Sequence, residues 1–271
     1  MKFHLVASGS KGNCFILQEG KRTIVIDCGS TKKHLKESFE KLNIPINSID
    51  LLLITHTHSD HISQLSLFDD VLVYSPVELE KRKDAKIIRP GCYFSIDKMK
   101  VSCIPLSHDA EKTVGYVFET EKEKLVYVTD TGYINTSYIP KFYDADYVIM
   151  ESNHDVKMLM ESSRPQYIKQ RIYSDYGHMS NEDCAATLEA IITNKTKEIV
   201  LAHISAQANT YEQALNVTVN HLLETKKDEL NENLRIVAAQ QFEIISGGLD
   251  YEKVDDCSSL FASDLEWIFN N

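Results

Sequence analysis

The chain has 271 residues, 43% of them hydrophobic and 25% charged, which is enough for one large domain with its own core and excludes a disordered or fibrous class. No apolar run reaches the roughly 20 residues that cross a bilayer, and MKFHLVASGS holds too few apolar residues for a secretory signal, so a cytoplasmic protein with no membrane partner is expected. The net charge of -11 excludes broad electrostatic adhesion to nucleic acid, so a phosphodiester substrate would need a local basic patch or metal ions.

Short apolar runs open the chain: FHLVA at 3–7, CFIL at 14–17, TIVID at 23–27 and DLLLI at 50–54 predict strands. Between the last two, TKKHLKESFEKL at 31–42 places Leu35, Phe39 and Leu42 on one face of a surface helix. VLVY at 71–74, MKVSCIPL at 99–106, TVGYVFE at 113–119, KLVYV at 124–128 and YVIM at 147–150 predict a second series of strands. A helix capped by Ser180 and Asp183 then shows Cys184, Leu188, Ile191 and Ile192 on one face, and Thr210 with Gln213 opens another. The strand EIVLA at 198–202 lies between them, and LRIVAA and FEIIS close the strand-rich end. Strands and helices alternate with no linker or repeat, which predicts an α/β sandwich with helices on its outer faces. The cysteines Cys14, Cys28, Cys92, Cys103, Cys184 and Cys257 form no CxxC pair and suit reduced thiols.

The stretch THTHSDH at 55–61 carries the chemistry. His56 and His58, two apart in an extended segment, leave the same side of a strand end and can meet one ion. Asp60 and His61 follow a turn and suit a second ion, against the blander reading of a histidine-rich loop. Further donors are needed, because a catalytic site keeps three protein ligands and an open position. His108, Asp130 and His203 each sit where an apolar strand ends, and with the cluster they reach the count for two metals.

These motifs, in this order, resemble the metallo-β-lactamase superfamily and within it the YycJ (WalJ) group of nucleases. ASGSKGN at 7–13, DCG at 27–29, THTHSDH, SHDA at 107–110, TDTGY at 129–133, ESNHD at 151–155, GHMSNED at 177–183 and LAHIS at 201–205 carry the likeness over most of the chain. The resemblance implies a four-layer αββα sandwich in a single domain, spanning 1–250 with a C-terminal extension at 251–271. It also implies His56, His58 and His108 on one metal, Asp60, His61 and His203 on the other, Asp130 bridging, and Asp27 as a buried carboxylate orienting a ligand. The segment between His61 and VLVY is shorter than the group usually has.

Two divalent ions, zinc or manganese with iron as an alternative, can hold a hydroxide that attacks phosphorus and can neutralise the phosphate. His178, in GHMS before a helix cap, is the candidate general acid, since an alkoxide leaves poorly unprotonated; Asp60 is the second candidate catalytic residue. Ser10, Lys11 and Asn13 with their loop amides offer a phosphate cradle. Arg164, Lys169 and Arg171, among Tyr167, Tyr173 and Tyr176, suggest a strand-tracking surface, although a solvated helix reads the same way. Asn153 and His154 are placed along the cleft, with Glu151 and Asp155 anchoring their loop. The expected function is a two-metal phosphodiesterase on DNA, as a 5′-to-3′ exonuclease through the resemblance. A thioesterase or lactonase on the same metals, and a non-catalytic metal-stabilised nucleic-acid-binding module, are the rivals.

Overall fold

Alternating apolar residues of two mixed sheets face each other in the computed structural model, which describes residues 1–248. One sheet contains β1 (Lys2–Ala7), β2 (Cys14–Glu19), β3 (Arg22–Ile26), β4 (Leu51–Leu53), β5 (Leu72–Ser75) and β6 (Lys86–Ile87). The other contains β7 (Tyr93–Ile96), β8 (Met99–Leu106), β9 (Thr113–Glu119), β10 (Lys124–Val128), β11 (Tyr147–Glu151), β12 (Glu198–Ala202) and β13 (Arg235–Ala238). The closing strand β14 (Ile245–Gly247) returns antiparallel to β1, so the spatial orders are β14-β1-β2-β3-β4-β5-β6 and β13-β12-β11-β10-β9-β8-β7.

Strand alternation explains the layers. On β2, Phe15 and Leu17 point into the inter-sheet core with Phe3 and Leu5, while Cys14 and Ile16 point outward. On β10, Leu125 and Tyr127 enter that same core and Val126 and Val128 face the helices. The outward faces are covered by α1 (Lys32–Lys41) through Leu35 and Phe39 on the first sheet. On the second sheet they are covered by α6 (Asn181–Ile191) and α7 (Tyr211–Lys226). The shorter helices are α2 (Ser59–Ile62), α3 (Ile139–Phe142), α4 (Val156–Glu161) and α5 (Gln166–Tyr173). Thr31, Ser180 and Thr210 each accept a hydrogen bond from the backbone N–H three residues on, so the caps of α1, α6 and α7 fall where the side-chain chemistry places them.

Parallel pairing sets where the chain ends its strands. β3, β4 and β5 run parallel in one sheet and β10, β11, β12 and β13 in the other. Within two residues of the ends of β3, β4, β10 and β12 come Asp27, the start of the 54–61 segment, Asp130 and His203, all emerging at carboxyl ends, where open α/β sheets hold their ligands.

Two differences from the sequence reading concern strands. FEIIS begins to pair only at Ile245, since Phe242 is 44% exposed and packs edge-on against His34. β6 and β7 are short sheet edges with few buried residues, so they carry little apolar periodicity. The proposed extension at 251–271, with Cys257, lies outside the described residues. The other five cysteines are free thiols, and no helix among the described residues is long and apolar enough to cross a membrane.

Candidate metal centre

Nitrogens and oxygens converge in two groups that meet at one carboxylate. His56, His58 and His108 each offer an atom within 4.8 Å of the others, as do Asp60, His61 and His203. Asp130 belongs to a third such group with His56 and His61, and to a fourth with Glu151, His178 and His203. Its Oδ2 lies 3.2 Å from His61 Nε2, and its Oδ1 lies 3.4 Å from His203 Nε2 and 4.0 Å from His108 Nε2.

Local backbone builds these approaches. His56 and His58 continue the extended chain beyond β4, and their ring centroids stand 4.6 Å apart. The turn into α2 swings Asp60 and His61 to the other side. Close approach here requires Gly29: a Cβ on it would fall 1.6 Å from the Asp60 carbonyl oxygen.

The outer nitrogen of several rings is fixed by a protein acceptor. Asp27 Oδ2 accepts from His61 Nδ1 at 2.7 Å and from Thr55 Oγ1 at 2.7 Å, while its Oδ1 accepts from the Thr55 N–H at 2.9 Å. The Gly177 carbonyl accepts from His108 Nδ1 at 2.9 Å. Glu151 Oε1 accepts from Nδ1 of both His178, at 2.8 Å, and His203, at 2.9 Å. Nε2 of His61, His108 and His203 is thereby the nitrogen turned toward the centre, the atom that offers its lone pair to a metal ion once any proton on it has left.

The residues fit a pair of divalent ions. His56 Nε2, His203 Nε2 and Asp130 Oδ2 are buried without a hydrogen-bond partner, and each such atom costs roughly 1–3 kcal/mol unless something else satisfies it. Two imidazole nitrogens facing one carboxylate oxygen, all three unpartnered, mark positions for cations. At His61 the lone pair also receives the Asn13 amide at 2.9 Å, so an ion there takes over an interaction that Asn13 now makes.

Electrostatics follows the same geometry. Burial pushes His56 well below the usual imidazole range and lowers His108. Burial also opposes charge on His61 and His203, yet Asp130 with Asp27 holds the first well up, and Asp130 with Glu151 holds the second up to about 9. Reciprocally, and again against burial, His203 and His61 keep Asp130 far below the carboxylate range, while His178 and His203 bring Glu151 to about 2.

Residues 22–204 match a family model described as the Beta-lactamase superfamily domain. The exodeoxyribonuclease YycJ of Bacillus anthracis is 34% identical over 242 residues, 83% of this chain and 90% of that protein. The chain belongs to the metallo-β-lactamase superfamily. Within it, the exodeoxyribonuclease WalJ of Streptococcus pneumoniae strain D39 is 32% identical over 236 residues, 82% of this chain and 88% of the relative. Among solved structures, the metallo-β-lactamase fold protein YhfI of Bacillus subtilis superposes with a TM-score of 0.67 at 14% identity, covering 91% of this chain and 99% of that one, which speaks for the fold. The chain is accordingly a metal-dependent hydrolase of this superfamily.

Around the centre, several residues stand elsewhere than the sequence reading puts them. The amides of Ser8, Gly9, Lys11, Gly12 and Asn13 donate to Gln241 O, Asn13 Oδ1, Gln241 Oε1, Gly9 O and Asp60 O respectively. ASGSKGN is thus a tied loop, without the row of free amides a phosphate cradle needs. Asn13 is buried as its internal lock, whereas Ser10 and Lys11 are exposed. Lys169 is also buried, its ammonium donating to the Met160 carbonyl at 2.6 Å, and so contributes no cation to a substrate surface. Arg164 donates to Gln207 Oε1 at 3.0 Å, and Arg171 donates to Asp109 Oδ2. Asn153 holds the His203 carbonyl at 2.7 Å, and His154 is 1% exposed, so neither lines an open cleft.

Three residues that position the centre escaped the sequence reading. Glu151, read as a loop anchor, is the shared acceptor for His178 and His203, and its Oε2 also accepts from the Thr131 N–H at 2.7 Å. Its place after the apolar strand YVIM was the available signal, the same one that marks Asp130. Thr55 secures Asp27, and Asp109 brings Oδ1 to 3.4 Å from His108 Nε2 and 3.6 Å from His58 Nε2. Asp155, by contrast, does anchor its loop, capping α4 through Met158 N.

Proposed function

We propose that the chain is a two-metal phosphodiesterase acting on DNA as a 5′-to-3′ exonuclease. The observation that carries this reading is the pair of donor clusters linked by Asp130, which groups with His56 of one and His61 of the other, with His178 beside them on Glu151. The names of YycJ and WalJ support DNA as the substrate, and the family resemblance supports the polarity. In this reading His56, His58 and His108 hold one ion and Asp60, His61 and His203 the other, with Asp130 between them and Asp27 orienting His61. Two ions in these positions, zinc or manganese, or iron given the mixed imidazole and carboxylate donors, would acidify water to a nucleophile at neutral pH and neutralise phosphate charge.

The chain's own residues move the other proton. Glu151 accepts the Nδ1–H of His178 and so aims Nε2 away from itself; in the form protonated at both nitrogens, His178 delivers its Nε2 proton to the leaving oxygen and is left as the neutral imidazole on Glu151. A positioned acid of this kind is worth roughly 10²- to 10⁴-fold in rate. Asp60, with its side chain 24% exposed, is the most solvent-facing member of its cluster and would hold its ion where water can reach it. The free thiols agree with a cytoplasmic setting.

Metal content measured alongside digestion of DNA labelled at either end tests the proposal. The parent chain with manganese or zinc should release nucleotides from the 5′ end, and His58→Ala and Asp130→Ala should lose both metal and digestion. Hydrolysis of thioesters or lactones with DNA intact would instead make it a small-molecule hydrolase. Tight DNA binding without cleavage under any divalent metal would make it a binding module.

A further inference from the structure

We infer that Tyr133, Tyr173 and Tyr176 form a stacking wall at the mouth of the centre, holding the unpaired bases of a nucleic-acid strand whose phosphate lies at the metals. This inference rests on the nuclease reading. All three rings are exposed, by 46%, 56% and 65%, and their phenols make no hydrogen bond among the described residues. Exposed aromatic area gathered at one place on a soluble chain marks a contact surface more often than chance scatter does.

Two backbone segments are locked together at this point. Tyr133 follows Gly132, which packs so tightly that a Cβ on it would lie 2.3 Å from the Asp175 carbonyl oxygen and 2.5 Å from that of Ser174. Ser174 and Asp175 are the residues between Tyr173 and Tyr176. Gly132 N–H also donates to Ser107 O at 2.9 Å, tying the junction to the residue before His108. Tyr133 therefore lies three residues from Asp130, and Tyr176 is next to Gly177, whose carbonyl orients His108, and two from His178. Tyr173 packs edge-on over the buried His154 at 6.3 Å.

The chemistry selects bases over phosphates. The cations of this segment are committed: Arg171 to Asp109, Lys169 to Met160 and Arg164 to Gln207. What it leaves open are flat rings, which accept any base because every base presents a π-face. An acidic chain gains affinity for a single strand in this way without a long basic track.

The test uses the full-length, metal-loaded chain carrying His178→Ala to slow cleavage, titrated with a short fluorescein-labelled thymidine oligonucleotide and with its abasic counterpart. Added singly, Tyr133→Ala, Tyr173→Ala and Tyr176→Ala should each weaken binding of the base-bearing strand, by roughly 5- to 150-fold. They should leave the already weaker abasic strand unchanged, and the Phe variants should bind like the parent. Tyr143→Ala, whose ring is 50% exposed and whose carbonyl accepts from Lys124 at the amino end of β10, the end opposite the centre, should have no effect. Equal binding of both strands by the parent, or loss of abasic binding in the Ala variants at unchanged metal content, would overturn the wall. If the chain with His178 intact digests DNA while the three Ala variants bind as the parent does, the wall alone falls. If it neither binds nor digests DNA, the nuclease reading falls with it.

Discussion

Replacing Glu151 with Gln removes one charge and almost no volume from the point where two histidines meet. Oε1 accepts from His178 and His203 at 2.8 and 2.9 Å, and Oε2 accepts from the Thr131 and Met179 amides at 2.7 and 3.4 Å. A carboxamide offers one oxygen and an NH2, so one pair of donors faces another donor. Either an amide loses its acceptor or an imidazole shifts its proton to Nε2, which in His203 is the lone pair aimed at Asp130. In the metal-free protein Glu151 lies at about 2 and His203 at about 9, each held there partly by the other. Glu151, depressed, stabilises the fold above its unfolded pKa of about 4.5 and loses that contribution as pH falls toward 2. His203, raised, stabilises it below about 6.5 and loses that contribution as pH rises through 9. The pair acts fully between those unfolded values, and counted once it is worth on the order of 3 kcal/mol. Urea unfolding of chelator-treated protein from pH 4 to 9 should show the Gln variant losing much of this near pH 5.5, with the acid flank flattened and the alkaline flank, which Asp130 still supports, reduced. Its metal affinity should fall roughly 10- to 100-fold and its phosphodiesterase rate roughly 10²- to 10⁴-fold. Unchanged stability near pH 5.5 together with unchanged metal affinity would refute the role assigned to Glu151.

Other substitutions separate packing from chemistry. Thr55→Val deletes the hydroxyl that donates to the buried Asp27 and should cost about 1–3 kcal/mol in urea unfolding, with loosened metal affinity. Lys169→Met removes an ammonium that donates to the Met160 carbonyl; stability should drop by about 1–2 kcal/mol while the salt dependence of DNA binding stays put, and a changed salt slope would restore Lys169 to the substrate surface. His154 is buried with both ring nitrogens unpartnered, and burial lowers it to about 4. Because that folded value is depressed, His154 should take about 2–3 kcal/mol from stability as pH falls from 6.5 to 4, and His154→Gln should remove that share of the acid loss in pH-resolved unfolding.

What was legible in the sequence was what is local. THTHSDH carries its ligands within one turn and one strand end, and the strands that deliver His108, Asp130 and His203 announce themselves by apolar runs. Ser180 and Thr210 cap helices through contacts only three residues long. What escaped depends on distant partners. Glu151 becomes an acceptor because β10 and β11 pair in parallel with Val128 opposite Met150, which sets Thr131 beside the end of β11. ASGSKGN looks like a phosphate cradle until Gln241, more than two hundred residues away, takes two of its amides. Lys169 sits in a helix that reads as solvated, and only the fold of α4 against α5 brings Met160 to it.

The three strand ends that feed the centre share a backbone feature that explains why they can. Asp27 and His203, the first residues beyond β3 and β12, and Asp130, the second beyond β10, have φ of 58°, 54° and 58°. A side chain that continued the pleat would point into the core or out to the helices; a left-handed residue leaves that alternation and turns off the end of the sheet. For residues other than glycine this conformation costs of order 1–3 kcal/mol each, and it persists only where surrounding contacts fix it. Those contacts are on hand: Thr55 and His61 for Asp27, His61 and His203 for Asp130, and Ser8 and Glu151 for His203. Glycine would relieve the backbone at each place and remove the ligand or its support. The strain therefore belongs to the centre itself, because the geometry that turns each strand outward is the one that brings two clusters onto a single carboxylate.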